Sequence, residues 1–332
     1  FSISMKKNIA VIGCGDWGKN LVRNFAELGV LTAVCDPNDK LSKYFAAKYN
    51  VDNLSFSAIL AKKSIEGVVL AVPATFHASM AIEAMHAGKL VYVEKPLSMN
   101  IIEAEAMIAS SRENGVQLMV GHLLQYHPIF MAVRALVESG ELGSLCYVYS
   151  NRLSFGKIRL KEDVIWSFAP HDISMILSLT GHEPETVRTE SAHIFRPDIA
   201  DSALVYLDFK SGLKAHISVS WLHPYKEQKL VVVGKNSMVV FDDTKPWNEK
   251  LALYRHEFKA TESLPSLKKT EVEYLHVPQS EPLRNECQHF INVVNKNIIP
   301  LTDGNEGLSV VRVLSAASLS EIKNEAVNLL IL

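Results

Sequence analysis

Asn8-Ile9-Ala10-Val11-Ile12-Gly13-Cys14-Gly15-Asp16-Trp17-Gly18-Lys19-Asn20-Leu21-Val22-Arg23-Asn24-Phe25 decides how the chain is read. An apolar run of strand-forming residues ends in Gly-x-Gly-x-x-Gly and passes into a helical pattern. Each glycine has a mechanical role. Gly13 permits a tight turn, Gly15 lets the backbone approach a pyrophosphate, and Gly18 lets the helix pack against the strand. The helix N-terminus offers unpaired N–H groups and a partial positive charge to that pyrophosphate. A second apolar strand, Leu31-Thr32-Ala33-Val34-Cys35, ends at Asp36, about 20 residues further on, where an acid binds an adenosine ribose. A carboxylate there accepts from both ribose hydroxyls of NAD. It would repel the 2′-phosphate of NADP by roughly 1–4 kcal/mol per charge pair at 4 Å. No Arg follows in Pro37-Asn38-Asp39. The competing reading of Asp36 is as the cap of the next helix.

Working outward, helical and strand patterns alternate. Residues 39–50 and 57–62 read as helices, 66–72 as a buried strand, and 77–87 as a helix stopped by Gly88. Residues 90–93 form a strand ending at Glu94-Lys95-Pro96, 101–113 a helix, and 116–120 a further strand. This predicts an α/β, doubly wound parallel sheet of the Rossmann kind. Ligands bind at the carboxyl ends of such strands, so Gly13–Gly18, Asp36, Pro73–His77, Glu94–Pro96 and Gly121–Tyr126 should surround one crevice. Beyond 122 the pattern changes. A helix at 127–139 precedes alternating strands at 145–152, 186–194, 228–233, 237–242 and 251–255. Residues 203–209 and 213–221 form a hairpin through Lys210-Ser211-Gly212. Helices are expected at 168–180, 282–296 and 305–324, and 257–271 is the least structured stretch. The expected organisation is a dinucleotide-binding domain at 5–122 and an α+β domain at 123–332 with a large, mostly antiparallel open sheet. Phe1–Ser4, ahead of Met5, read as a remnant foreign to the natural chain.

With 332 residues, 48% hydrophobic and 21% charged, the chain is long enough for two domains with large cores. A net charge of −2 argues against a nucleic-acid or acidic-membrane surface. Cys14, Cys35, Cys146 and Cys287 form no C-x-x-C pair, and no apolar run reaches the roughly 20 residues of a membrane span. A reduced, cytoplasmic chain is expected. The histidines show no metal spacing, so no metal is expected. Met80, Met85 and Met107 read as core filler. A sheet with helices on one face leaves the other to be covered, which predicts a homodimer or homotetramer.

Two side chains carry candidate chemistry. Lys95, at a core strand's end, suits a group that hydrogen-bonds a hydroxyl and stabilises the developing alkoxide; the plain alternative is a surface lysine. His171, in Trp166-Ser167-Phe168-Ala169-Pro170-His171-Asp172, is read at the start of a helix after a loop. An imidazole there can take a hydroxyl proton as hydride leaves; the plain alternative is an ordinary helix-start residue.

The glycine motif, the acid ending the second strand, Pro-Ala-Thr-x-His at 73–77, Glu-Lys-Pro at 94–96 and the later His171 together resemble the glucose–fructose oxidoreductase / inositol dehydrogenase / rhizopine catabolism (Gfo/Idh/MocA) family, over essentially the whole chain. The resemblance implies hydride exchange between NAD and a sugar or cyclitol carbon, Lys95 on the reacting hydroxyl, and a cis Lys95–Pro96 bond. The expected cofactor contacts are Gly13, Gly15, Asp16, Trp17, Gly18, Asp36, Pro73, Thr75, His77, Glu94, Lys95, Gln125 and Trp166. Many relatives carry an Asp four residues before the histidine; here that position is Ser167, which reduces the expected catalytic pair to Lys95 and His171.

Within the family, 166–172 and 220–228 resemble UDP-N-acetylglucosaminuronate 3-dehydrogenases of bacterial surface-polysaccharide synthesis. That likeness implies oxidation at C3 of a UDP-linked N-acetylamino sugar acid. Arg152, Lys157, Arg159 and Lys161 form a basic stretch suited to carboxylate or diphosphate, or else a solvated charged loop. Substrate contacts are expected at Lys95, Tyr126, Arg152, Lys157, Arg159, His171, Trp221 and His223. The rival readings are an inositol or free-sugar dehydrogenase and an NAD(H)-binding regulator without turnover.

Overall fold

In the computed structural model the described residues are 8–156, 158–159, 162–259 and 266–332. The expected remnant, Met5, Lys157 and Lys161 lie outside them. In chain order the elements begin with β1 (Ile9–Ile12), α1 (Gly18–Glu27), β2 (Leu31–Cys35), α2 (Asp39–Tyr49), β3 (Asp52–Asn53), α3 (Phe56–Ala61) and β4 (Gly67–Leu70). There follow α4 (His77–His86), β5 (Leu90–Glu94), α5 (Ile101–Glu113), β6 (Leu118–Gly121), α6 (Pro128–Glu138), β7 (Leu145–Phe155) and α7 (Val164–Thr180). Then come β8 (Thr186–Ala192), β9 (Ser202–Asp208), β10 (Lys214–Ser220), β11 (Leu222–Gly234), β12 (Met238–Asp242) and β13 (Leu251–Tyr254). The chain closes with β14 (Glu257–Lys259), β15 (Ser266–Lys268), β16 (Glu273–Tyr274), α8 (Pro282–Lys296), α9 (Gly304–Lys323) and β17 (Val327–Asn328). Among the described residues no helix is long and apolar enough to cross a membrane.

The chain forms two units. The first runs up to Tyr126 and takes in Glu281–Val311; the second comprises His127–Ser280 and Arg312–Leu332. The first holds a six-stranded parallel sheet in the order β3-β2-β1-β4-β5-β6, the doubly wound arrangement read from the sequence. Its central strands β1 and β4 are buried at every position, as a sheet covered on both faces requires.

Residues 281–311 lie apart from the expected second domain for a physical reason. α8 has a strongly one-sided apolar face, and Leu283, Cys287, Phe290, Ile291 and Val294 join the core of β1, β5 and α1. Phe290 meets Phe25 and Tyr92 edge-on, with ring centroids 6.2 and 5.7 Å apart. β6 ends the sheet, and Thr302 serves its open edge: Val120 N–H donates to Thr302 O (2.8 Å) and Thr302 Oγ1 to Val120 O (2.7 Å).

The second unit is built on a nine-stranded sheet, β16-β13-β12-β11-β7-β10-β9-β8-β17, antiparallel except for the β7–β10 pair. The expected hairpin is β9–β10. Alternation along it puts Ala203, Val205, Leu207, Ala215, Ile217 and Val219 in the core, beneath α7. Two expectations are corrected. β14 and β15 pair within the stretch read as least structured. α7 begins at Val164, not near 168: the Asp163 side chain accepts from Trp166 N–H at 2.9 Å and caps the helix. Pro170 therefore lies inside the helix rather than at its start.

Candidate functional site

The first unit's site grows from the turn after β1. Gly13 sits at φ +96°, and a Cβ there would lie 2.3 Å from Ala71 O. A Cβ on Gly18 would lie 2.0 Å from Gly13 O, so the turn and the start of α1 close only without side chains. Nothing lies within 4 Å of a Cβ placed on Gly15. That open space, beside a helix start with no side-chain cap, is what an approaching pyrophosphate needs. Burial, then Asp36 and Cys35, push the Cys14 thiol up to about 12, which keeps it un-ionised beside that seat.

Asp36 follows β2. Its Oδ2 accepts from Cys14 N–H (2.7 Å) and its Oδ1 from Asn38 N–H (2.8 Å). Asn38, not Asp36, caps α2, accepting from Lys40 N–H. Asp36 thus stands as an oriented carboxylate with lone pairs left for ribose hydroxyls. It opens into a cavity of about 770 Å³ walled by Gly13, Pro37, Leu54, Phe56, Pro73, Phe76 and Met80. A mainly apolar cavity with the Asp36 carboxylate in its lining fits an adenosine. Phe56 and Met80 were not expected here. Met80 read as core filler because helical spacing alone does not distinguish a core wall from a cavity wall. Thr75 is exposed on the short turn Ala74–Phe76.

At the end of β5, Glu94 is buried and gathers donors. Trp17 Nε1–H reaches Oε1 at 2.6 Å, Tyr92 Oη–H reaches Oε1 at 3.1 Å, and Lys95 N–H reaches Oε2 at 3.2 Å. Lys95 is half-buried, and the Lys95–Pro96 bond is cis, as the resemblance implied. His77 is corrected from a cofactor contact to a strut: its Nδ1 faces Pro96 O at 2.8 Å and its Nε2 faces Val72 O at 3.0 Å. Burial holds its pKa below the ordinary imidazole value despite those carbonyls. Gln125 is buried. Tyr126, expected on substrate, is buried with its hydroxyl on Thr302 Oγ1 at 2.9 Å.

In the second unit, His171 sits half-buried within α7. Its neighbour Asp172 is buried and takes Arg152 in a two-pronged ion pair, Nε to Oδ2 at 2.6 Å and Nη2 to Oδ1 at 3.3 Å, with Ser150 Oγ on Oδ1 as well. Arg152 is therefore a strand-to-helix tie, not an open anion anchor. Trp221 is likewise corrected: it is fully buried, with its indole N–H on Asp201 Oδ1 at 2.7 Å. Trp166 belongs to this unit and donates to Ser318 Oγ at 2.9 Å. His223 keeps its Nδ1 against Tyr225 O at 2.9 Å and its ring edge-on to Tyr225. Arg159 is exposed and lies 3.7 Å from Glu162.

Comparison with known proteins agrees with these features. Residues 7–122 match the family description "Oxidoreductase family, NAD-binding Rossmann fold", and residues 130–240 match "GFO/IDH/MocA C-terminal domain". A UDP-N-acetylglucosamine 3-dehydrogenase of Acidithiobacillus ferrooxidans is 28% identical over 95% of this chain and 96% of its own. A solved structure of that enzyme from the same organism superposes with a TM-score of 0.84 at 26% identity, covering 95% of this chain and 97% of the other. The inositol 2-dehydrogenase of Rhizobium meliloti is 26% identical over 86% of this chain and 88% of its own. GenD2 from gentamicin A biosynthesis, solved in complex with NAD, shares the fold at a TM-score of 0.81 and 21% identity, over 97% of this chain and 96% of its own. The glycine turn, the oriented Asp36 and the two matched domains identify the chain as an NAD-binding oxidoreductase of the GFO/IDH/MocA family.

Proposed function

We propose that the protein oxidises a secondary hydroxyl, at C3, of a UDP-linked N-acetylamino sugar used in surface-polysaccharide synthesis. The observation that carries this reading is the end-to-end similarity to a UDP-N-acetylglucosamine 3-dehydrogenase. The Arg152–Asp172 pair weakens the case for a sugar acid, because one of the four basic residues expected to meet carboxylate or diphosphate is engaged elsewhere. Bound NAD supplies the hydride acceptor. Gly13–Gly18 seat its pyrophosphate, and Asp36 holds its ribose. Lys95 donates to the reacting hydroxyl and stabilises the alkoxide as hydride leaves. His171 takes the hydroxyl proton. The outer face of the nine-stranded sheet joins subunits into a homo-oligomer.

Mass spectrometry of the sugar nucleotide tests the reading. Protein, NAD and 2-oxoglutarate are incubated with UDP-N-acetylglucosamine, with its uronic acid, and with free inositol in parallel. Loss of two hydrogens from a UDP-sugar is expected, and the more reactive of the two sugars decides between neutral and acidic substrate. Oxidation of inositol alone would overturn the UDP-sugar assignment. Lys95→Ala and His171→Ala are each expected to lower turnover by roughly 10²–10⁴ with NADH binding retained. Unchanged turnover would remove that residue from the chemistry.

A further inference from the structure

Behind the glycine turn the first unit brings together three carboxyl groups from three elements: Glu94 of β5, Glu286 of α8 and Glu306 of α9. Glu306 meets His122 Nδ1 at 2.6 Å. Glu94 collects its three donors from Trp17, Tyr92 and Lys95. Glu286 differs. It is 0% exposed, and neither of its oxygens has a hydrogen bond of ordinary geometry. Tyr92 lies beside both acids, but its hydroxyl bond goes to Glu94.

Two ionised carboxyl groups in one dry pocket repel strongly, and an ion without donors is costly to bury. The pair therefore holds a proton, and the donors decide where. Burial raises Glu94 above the usual carboxylate range, but Trp17, Lys95 and Tyr92 offset it. Burial raises Glu286 as well, and the charge of Glu94 adds to it. The groups facing this pair are Tyr92 and Lys95 from β5 and its end, Tyr126 after β6, Cys287 on α8, and Glu306 with its partner His122. Packing leaves little slack. A Cβ on Gly121 would lie 2.9 Å from Tyr92 Oη and 3.0 Å from Glu94 Oε2.

Glu94 is also the link between the glycine turn and β5, because Trp17 stands between Gly15 and Gly18. We propose that Glu286 is a positioning residue of the NAD site: a neutral carboxylic acid behind Glu94 that leaves Glu94 the ionised member of the pair and keeps Trp17, and with it the glycine turn, latched to β5. When Glu286 ionises, a second negative charge competes for the same donors. The latch then loosens and NAD affinity falls. This rests on NAD sitting over the glycine turn.

The test is NADH binding to the full chain by fluorescence titration between about pH 6 and pH 10, a range that brackets the ionisation of buried glutamates. Wild-type affinity is expected to drop about tenfold or more on the alkaline side. Glu286→Gln keeps the shape and cannot ionise. It is expected to bind NADH within about twofold of wild type at neutral pH and to lose at least about fivefold less affinity on the alkaline side. The same alkaline decline in both proteins would overturn the proposal, as would weakened binding by the variant at every pH. Infrared difference spectra of wild-type protein give a reading independent of the variant's folding. Raising the pH should bleach the carbonyl band of an un-ionised carboxyl group, and its absence at neutral pH would overturn the proposal. Wild-type protein that binds no NADH at any pH would overturn the NAD site itself, and this inference with it.

Discussion

Arg152 shows what a single residue's identity does and does not disclose. A basic side chain ahead of His171 looks like an anion anchor, yet the folded chain brings it onto the buried carboxylate of Asp172, 20 positions away. Trp221 on Asp201 and Tyr126 on Thr302 follow the same logic. Each polar side chain finds a partner distant in sequence, and sequence spacing carries no trace of that pairing. The glycine turn was legible because much of its constraint is local: Gly13 sits at φ +96°, and a Cβ at Gly18 would collide with Gly13 O five residues back. Asp36 was legible from its spacing after that turn. The Arg152 assignment has a measurable consequence. Arg152→Met strands a buried carboxylate and should cost about 3–5 kcal/mol in urea unfolding. Replacing Asp172 with Leu as well should recover most of that loss, since a buried pair exchanged for apolar groups is often neutral. If Arg152→Met instead raised KM for the sugar nucleotide and left the unfolding midpoint alone, the anion-anchor reading would return.

Among the elements, helices and strands with clear periodicity were readable, and the misreading at α7 has a definite cause. Pro170 suggests a helix start, because proline suits the first turn. The Asp163 cap sets the start earlier, and a proline two turns along is accommodated in the finished helix. The turn between β12 and β13 held no readable signal, since its organising acid works through tertiary contacts. Asp243 lies 3.5 Å from His127 Nε2 and beside Lys250. The other His127 nitrogen accepts from Ile129 N–H at 3.1 Å and caps α6, so the proton on Nε2 points at Asp243. Burial alone would raise the Asp243 carboxyl, but His127 and Lys250 together bring it down to about 2. A carboxylate lowered on folding stabilises the native state above its unfolded value near 3.9, and that contribution disappears as pH falls toward the folded value. Unfolding followed by circular dichroism between about pH 5 and pH 2 should show this loss, about 1–2 kcal/mol after allowance for partial exposure. Asp243→Asn should be the less stable protein at the upper end and should close the gap on acidification. A constant gap across that range would contradict the assignment.

At the scale of the molecule, the sheet of the second unit has two unlike faces. Valine, leucine, isoleucine and alanine side chains of β9 and β10 lie under α7. The opposite face carries a row of rings across three neighbouring strands, Tyr206 beside His216 beside Tyr149, with Tyr147 one step along. Sequence alternation disclosed the two-faced strands; it could not disclose that β7 and β10 run parallel at the centre, or that α8 returns to the first unit, because both are choices of partner rather than of period. An aromatic row on a broad sheet suits a second copy of the same row, since aromatic residues give large contact area at little entropic cost and a two-fold axis makes one patch serve both sides. Light scattering on purified protein at micromolar concentration should therefore report a dimer or tetramer. Tyr206→Lys places a charge in the middle of the row and should shift the population toward monomer while NADH binding is retained, because Tyr206 lies in the second unit and the glycine turn in the first. A wild-type monomer, or an oligomer indifferent to the charge at 206, would show that the subunits meet elsewhere, and the ring row would then require another explanation.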